Sequence, residues 1–251
     1  MISLAYLSWT LFALGYPDRA RELSRQALSE AENLSHFLTL AMALDRTAAV
    51  AQFSRDVATV AMRAETISTL GREQAFPSYM ATGNFNRGWV MVHKGRISEG
   101  IALMRAALSA LRANRDEEFM PHSLDLLAAA QAKLQDVPQA LSLVRDALAR
   151  VTRTGERLFE ADLHRLTGDL LLALMQPDQA EESFHQAIAV ARDQGARVWE
   201  LRAATSLARL WHVQGRRAEA HDLLAPVYGW FTEGLDTPDL KEAKALIDEL
   251  A

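Results

Sequence analysis

Six times along this 251-residue chain a small residue is followed seven positions later by another, and that recurrence limits the fold more than any other feature. Ala20 with Ala27, Ala140 with Ala147 and Ala180 with Ala187 are the clean cases, and Ala220 with Val227, Gly100 with Ala107 and Val57 with Ala64 follow them. On this reading the first members stand 37, 43, 40, 40 and 40 residues apart. Twelve positions before each of them lies a further small residue, Ser8, Gly88, Ala128, Gly168 or Ala208, with Asp45 the exception. Turn signals fall between: Gly15, Gly95 and Gly215, or the runs Asp136-Val137-Pro138 and Gln176-Pro177-Asp178. The unit is therefore helix, turn, helix, and its helices approach closely where Gly88 faces Gly100 and Gly168 faces Ala180. Asp45 and the uneven 37-then-43 spacing predict a local irregularity in the second unit.

Composition agrees, with 43 Ala and 37 Leu against 12 Val and 6 Ile. Strong helix formers so outnumber strand formers that a large sheet is excluded. The expected architecture is all-α: a single right-handed α-α superhelix of six pairs near 1–34, 35–72, 77–114, 118–155, 157–194 and 197–234. A closing helix over 237–250 follows. Thr237-Pro238-Asp239 predicts its N-terminus, and Leu240, Ala243, Leu246, Ile247 and Leu250 give it one apolar face for lidding the stack.

Several function classes fall away. A chain with no cysteine carries no disulfide, thiolate metal site or Cys nucleophile, and cytoplasmic residence is the expectation. A net charge of −5 argues against a nucleic-acid partner, which needs a concentrated basic face. The apolar opening Ile2–Leu14 lacks a basic start and a cleavage site, and its thirteen residues of helix rise only about 20 Å, short of a bilayer core of about 30 Å. No membrane partner is expected.

Small residues at positions eight, twenty and twenty-seven, with a turn Gly at fifteen, make each unit similar to the tetratricopeptide repeat (TPR), lengthened to about 40 residues. Long repeats of this kind resemble those of bacterial signalling ATPases and of LuxR- and MalT-like transcription factors. The segments Glu200–Trp211, Gln214–Ala220, Leu223–Gly234 and Asp239–Leu246 look like the end of bacterial proteins that fuse a class III adenylate/guanylate cyclase, an AAA-type ATPase and a TPR tail. Leu14–Asp18, Arg87–Trp89, Thr154–Glu156 and Glu160-Ala161 agree. Met1 falls inside the first repeat, which predicts a further segment upstream.

The catalytic parts of that family have no counterpart here. Gly83 and Gly88 have P-loop spacing, but Trp89 and Val90 stand where Lys and Ser/Thr must meet phosphate and Mg²⁺. The seven histidines form no H-E-x-x-H and no i,i+4 pair, so no metal or other cofactor is expected. Asp116-Glu117-Glu118 precedes an apolar helix and reads as a favourable charge at its N-terminus. The chain is expected to bind, not to catalyse.

The resemblance implies where. In TPR proteins the first helices line a concave groove, with positions two, five, nine, twelve and thirteen of each unit pointing into it. Here those include Trp9 and Phe12; Phe85, Trp89 and His93; Asp125 and Lys133; Asp162, Arg165 and Asp169; and Arg202, Arg209 and His212. The groove would be aromatic early and charged late, and would take a protein or peptide partner or other domains of a parent chain. Trp9 and Trp89 share one position two units apart, suited either to a partner or to packing between first helices. Trp211 falls in the core. Phe85, Trp89, His122 and Leu126 replace the Lys and Asn residues of the chaperone-tail clamp, so that partner is not expected.

Overall fold

A computed structural model describes residues 1–251. Its thirteen helices are α1 (Ile2–Ala13), α2 (Pro17–Asn33), α3 (Phe37–Phe53), α4 (Val57–Glu73), α5 (Pro77–His93), α6 (Ile97–Ala113), α7 (Met120–Lys133), α8 (Val137–Thr154), α9 (Glu160–Ala173), α10 (Pro177–Asp193), α11 (Arg197–Val213), α12 (Arg217–Gly229) and α13 (Pro238–Leu250). There is no strand, and the all-α expectation holds.

The rhythm is stricter than the small residues suggested. Left-handed backbone recurs every 20 residues, at Gly15, Ser35, Arg55, Ala75, Gly95, Arg115, Gln135, Gly155, Met175, Gly195 and Gly215. Each such residue ends a helix, and at nine of the eleven the next amide reaches back to an earlier carbonyl, as Tyr16 does to Leu11, Asp56 to Ala51 and Gln176 to Leu171. Asp56 and Asp136 then cap the following helices by accepting from the amides of Thr59 and Gln139.

This period corrects the second unit. The buried residues equivalent to Ala20 and Ala27 are Val60 and Ile67, not Val57 and Ala64, and the residue equivalent to Ser8 and Gly88 is buried Ala48. The pair spacing is therefore 40 residues throughout, and no irregularity exists. Larger Val and Ile had disguised the register. Asp45 thereby takes the place that Phe85, Asp125 and Arg165 hold in their units.

Between α5 and α6, Gly88 and Gly100 meet as expected. A Cβ on Gly88 would stand 2.7 Å from the Gly100 carbonyl oxygen, so the backbones touch there. At Gly168 the neighbour is the ring of Phe184, one turn beyond Ala180, which fills the space a side chain would need.

The first helices pack in sequence, α1 on α3, α3 on α5, α5 on α7, α7 on α9 and α9 on α11, and α1 then packs on α11. The inner circuit is closed. This corrects the open groove: six pairs of long helices bring the first unit round to the last. Gly15 lies against Trp230, and Gly234 against Pro17. α13 packs on α11 and α12 as a lid. Its Thr237 forms no side-chain cap, and its acids Asp239 and Glu242 pair across the closure with Arg55 instead of facing only water. No helix is long and apolar enough to cross a membrane.

Candidate functional site

The closed circuit changes the meaning of the early aromatic positions. Phe12 is 1% exposed and Trp9 4%, and both pack on Phe53, which in turn meets Phe159 and Trp199. These rings fill the axis of the superhelix. Trp9 is anchored further by its indole N–H, which donates to the Arg46 carbonyl at 2.6 Å. Phe85 and Trp89 are equally buried, and Trp89 lies against the His93 ring at 3.9 Å. Phe12 and Trp89 thus hold the face together and present almost no surface; Trp9 and Phe85 do so too, but each shows an edge to a cavity.

That cavity, of about 100 Å³ with an open mouth, lies between α1, α3, α5 and the start of α7. Asp45, Arg46, Gln52, Tyr79, Thr82, Asn86, Asp116, Glu118, Phe119 and His122 supply its chemistry. Arg46 bonds Asp45, Glu118 (2.5 Å) and the Tyr6 hydroxyl (3.2 Å), with its guanidinium 4.7 Å from the centre of the Phe119 ring. Burial raises the Asp45 carboxyl to about 6 against the pull of Arg46, with Asp116 and Glu118 adding to the rise. Burial lowers the His122 imidazole to about 3, so it is neutral at physiological pH. The acidic run is therefore not a helix cap: Phe119 occupies the cap position of α7, Glu117 pairs with Arg150, and Asp116 and Glu118 serve the cavity.

The charged late half is a network strung across the closure. Arg165 bonds Asp162 and Asp169 at 2.5 Å each, and Arg202 bonds Asp239 (2.8 Å) and the Phe53 carbonyl oxygen (2.6 Å). Arg55 reaches Asp239 and Glu242, and Arg209 reaches Glu242 at 3.4 Å. A second opening lies among Arg165, Asp169, Arg202 and Arg209. Within the network, burial lifts buried Asp125 to about 8, reinforced by the neighbouring Asp162 charge. Burial acts the same way on Asp162, but Arg165 and Arg202 outweigh it and hold that carboxyl at about 2.

The remaining inner-face positions divide by exposure. Lys133 and Arg209 are exposed and His212 is half-buried beside Arg209 at the rim, while His93 keeps its Nδ1 on the Trp89 carbonyl at 2.9 Å. Sequence reasoning passed over Asp45, Gln52, Thr82 and His122, although each sits on an inner-face position of its unit. The 40-residue register would have found them; Tyr79, Asp116, Glu118 and Phe119 come from a helix start and a loop, where no periodic signal exists. No group of three or more His, Asp or Glu side chains is arranged to hold a metal ion.

Comparisons with solved structures return this fold. The apo form of RapI superposes with a TM-score of 0.60 at 15% identity, over 97% of this chain and 80% of that one. BtubC from P. vanneervenii superposes at 0.58 and 16% identity, over 93% and 89%. A Podosopora anserina putative kinesin light chain with TPR-like repeats scores 0.43 at 17% identity, over 90% and 92%. The fold shared with the first two is an all-helical solenoid of paired helices. An uncharacterised protein of Rhizobium meliloti (strain 1021) is 23% identical over 214 residues, and the match takes 85% of this chain but 21% of that protein's length. No protein-family model matches the sequence.

Proposed function

We propose that the chain is a protein-interaction and regulatory module, the sensor or scaffold tail of a signalling ATPase or nucleotide cyclase, with its six helix pairs and closing helix working as one binding unit. One observation carries the reading: the face formed by the first helices keeps an open cavity, in whose lining buried His122 has an Nδ1 with no hydrogen-bond partner. Scaffolds of this type supply a preformed surface, so a partner segment loses its own entropy without the surface having to order. The match to one fifth of a much longer relative fits a tail of a multidomain protein.

In this reading Lys133, Arg209 and His212 meet the partner at the rim, and Arg202, Arg165, Asp169 and Asp125 fix the shape of the face behind them. Trp9, Phe12, Phe85 and Trp89 act from beneath, by keeping the first helices in register. The chain contributes binding and not turnover.

The test is co-expression with the ATPase and cyclase domains encoded upstream or elsewhere in the same genome. Co-elution together with a changed rate of ATP hydrolysis or nucleotide cyclisation is the expected result. Separate elution with unchanged rates overturns the tail reading and leaves a second one, a free-standing adaptor or small-peptide receptor, which the presence of the Asp45 cavity favours.

A further inference from the structure

We propose that the cavity walled by Trp9, Tyr79, Phe85 and Phe119 takes an alkylammonium or guanidinium group on a short apolar stem, with Asp45, Asp116 and Glu118 as its counter-charges. The proposal rests on the inner face being a binding surface, and it names the chemistry that this surface accepts.

Charge is the first argument. Three carboxylates line the cavity against one guanidinium, a surplus of two negative charges. Arg46 is already engaged by Asp45, Glu118 and the Tyr6 hydroxyl, with three aromatic rings within 5.9 Å of its guanidinium carbon. Asp116 is half-buried and has no ion-pair partner. A carboxylate held among aromatic walls is poorly solvated, and a cation brought into the cavity restores what water cannot supply. Tyr79 and Phe85 add further aromatic wall to the cavity.

Hydrogen-bond polarity is the second argument and is independent of the first. The Gln52 side-chain amide donates to Asn86 Oδ1 at 3.0 Å, which leaves Gln52 Oε1 as an acceptor. His122 Nε2, 3.3 Å away, must therefore carry the hydrogen and donate to it. With Nε2 protonated in a neutral ring, Nδ1 is a bare acceptor, and it is buried without a partner. His122 is 8% exposed and lines the cavity. Both Asp116 and His122 thus want a donor, which a cation supplies and an apolar ligand does not.

The experiment is calorimetric titration of the full chain with three probes: butylguanidinium, a Gly-Arg-Gly tripeptide blocked at both ends, and pentanoate as an anion of matching size. The cations bind and pentanoate does not. Asp116→Asn lowers cation affinity by about tenfold or more, the loss expected for a charge-assisted contact, with an unchanged melting temperature because Asp116 holds nothing else. Thr82→Trp fills the cavity and abolishes binding in a chain shown to be folded by its melting transition. Binding of butylguanidinium alone supports the site with a free amine as its source; binding of the tripeptide as well supports a peptide source. No binding of either cation at millimolar concentration, equal binding of pentanoate, or wild-type affinity in both variants overturns the proposal. None of these outcomes depends on the co-elution result, so the two readings fail separately.

Discussion

Glu233 caps helix α2 from the opposite end of the chain: its Oε1 accepts from the amides of Asp18 and Arg19 at 3.0 and 3.1 Å, while the Gly234 amide donates to Asp18 Oδ2 at 2.9 Å. A reciprocal cap of this kind normally lies within one helix turn. Here it joins the first unit to the loop before α13 and forms part of the closure. Glu233→Ala removes the acceptor for both amides and is expected to cost about 1 kcal/mol in urea unfolding. Gly234→Ala is expected to cost more, because a Cβ there would run into the Pro17 ring and the backbone φ of 70° favours glycine. Small-angle scattering should show a larger radius of gyration for Gly234→Ala; an unchanged radius and melting temperature would mean that this contact does not hold the closure.

Arg202 sits at the centre of the same closure, between Asp239 of α13 and the Phe53 carbonyl at the end of α3, with its guanidinium over the Trp199 ring at 4.7 Å. Its side chain is 11% exposed and that of Asp239 is 7% exposed. Removing Arg202 leaves buried Asp239 with Arg55 as its one remaining counter-charge, on a side chain 39% exposed. Arg202→Met is therefore expected to destabilise by about 1.5–3 kcal/mol. Arg202→Met combined with Asp239→Asn should recover much of that, since no buried charge is then left alone. Equal loss in the single and double variants would show that Asp239 is not the partner that matters.

Much of this fold is written in the sequence, and the parts that are not have physical causes. The Ala20, Ala140 and Ala180 units are legible because close helix crossings demand small residues. The second unit misleads because Val60 and Ile67 are accommodated in the same slots, which moves the apparent register by three residues and makes Asp45 look like a defect. Some of the left-handed turns are equally hidden, since Ser35, Arg55 and Arg115 occupy sites where Gly15, Gly95 and Gly215 announce theirs. Inner-face positions follow from the repeat alone. Whether that face is open is decided by how far six units curl, a sum of small angles that no single residue encodes, and for that reason Trp9, Phe12 and Trp89 read as groove residues while packing as core.

Asp125 gives the stability a pH dependence of known sign. Its carboxyl titrates at about 8 in the folded chain and at 3.8 when unperturbed, so between those values the folded state keeps a proton that the unfolded state releases. Raising the pH through that window favours unfolding, and above about 8 the effect is complete. His122 works in the opposite sense: lowered to about 3 from 6.5, it withdraws stability as the pH falls between those values. Comparing Asp125→Asn with the wild type isolates the first effect. The variant should gain on the wild type steadily from pH 4 to pH 8, ending ahead by a few kcal/mol, since each tenfold change in proton affinity is worth about 1.4 kcal/mol. A difference that stays flat with pH would mean that Asp125 is ionised in the fold and that its neighbours satisfy the charge.

Met175 offers a gain in stability at no cost to packing. It holds φ of 60° at the turn between α9 and α10, where Gly15, Gly95 and Gly215 stand in other units, and its side chain is 87% exposed. Left-handed backbone costs a residue with a Cβ about 1 kcal/mol or more, a penalty that glycine escapes. Against this, glycine gives the unfolded chain more freedom, which takes back part of the gain. Met175→Gly is expected to stabilise by about 0.5–1 kcal/mol and to raise the melting temperature by about 1–4 °C for a chain of this size. The reverse substitution makes the control: Gly95→Met, at the equivalent turn with open space around it, should lose a similar amount. If the two changes do not oppose each other in sign, strain at the 20-residue turns is not what limits the stability of this repeat.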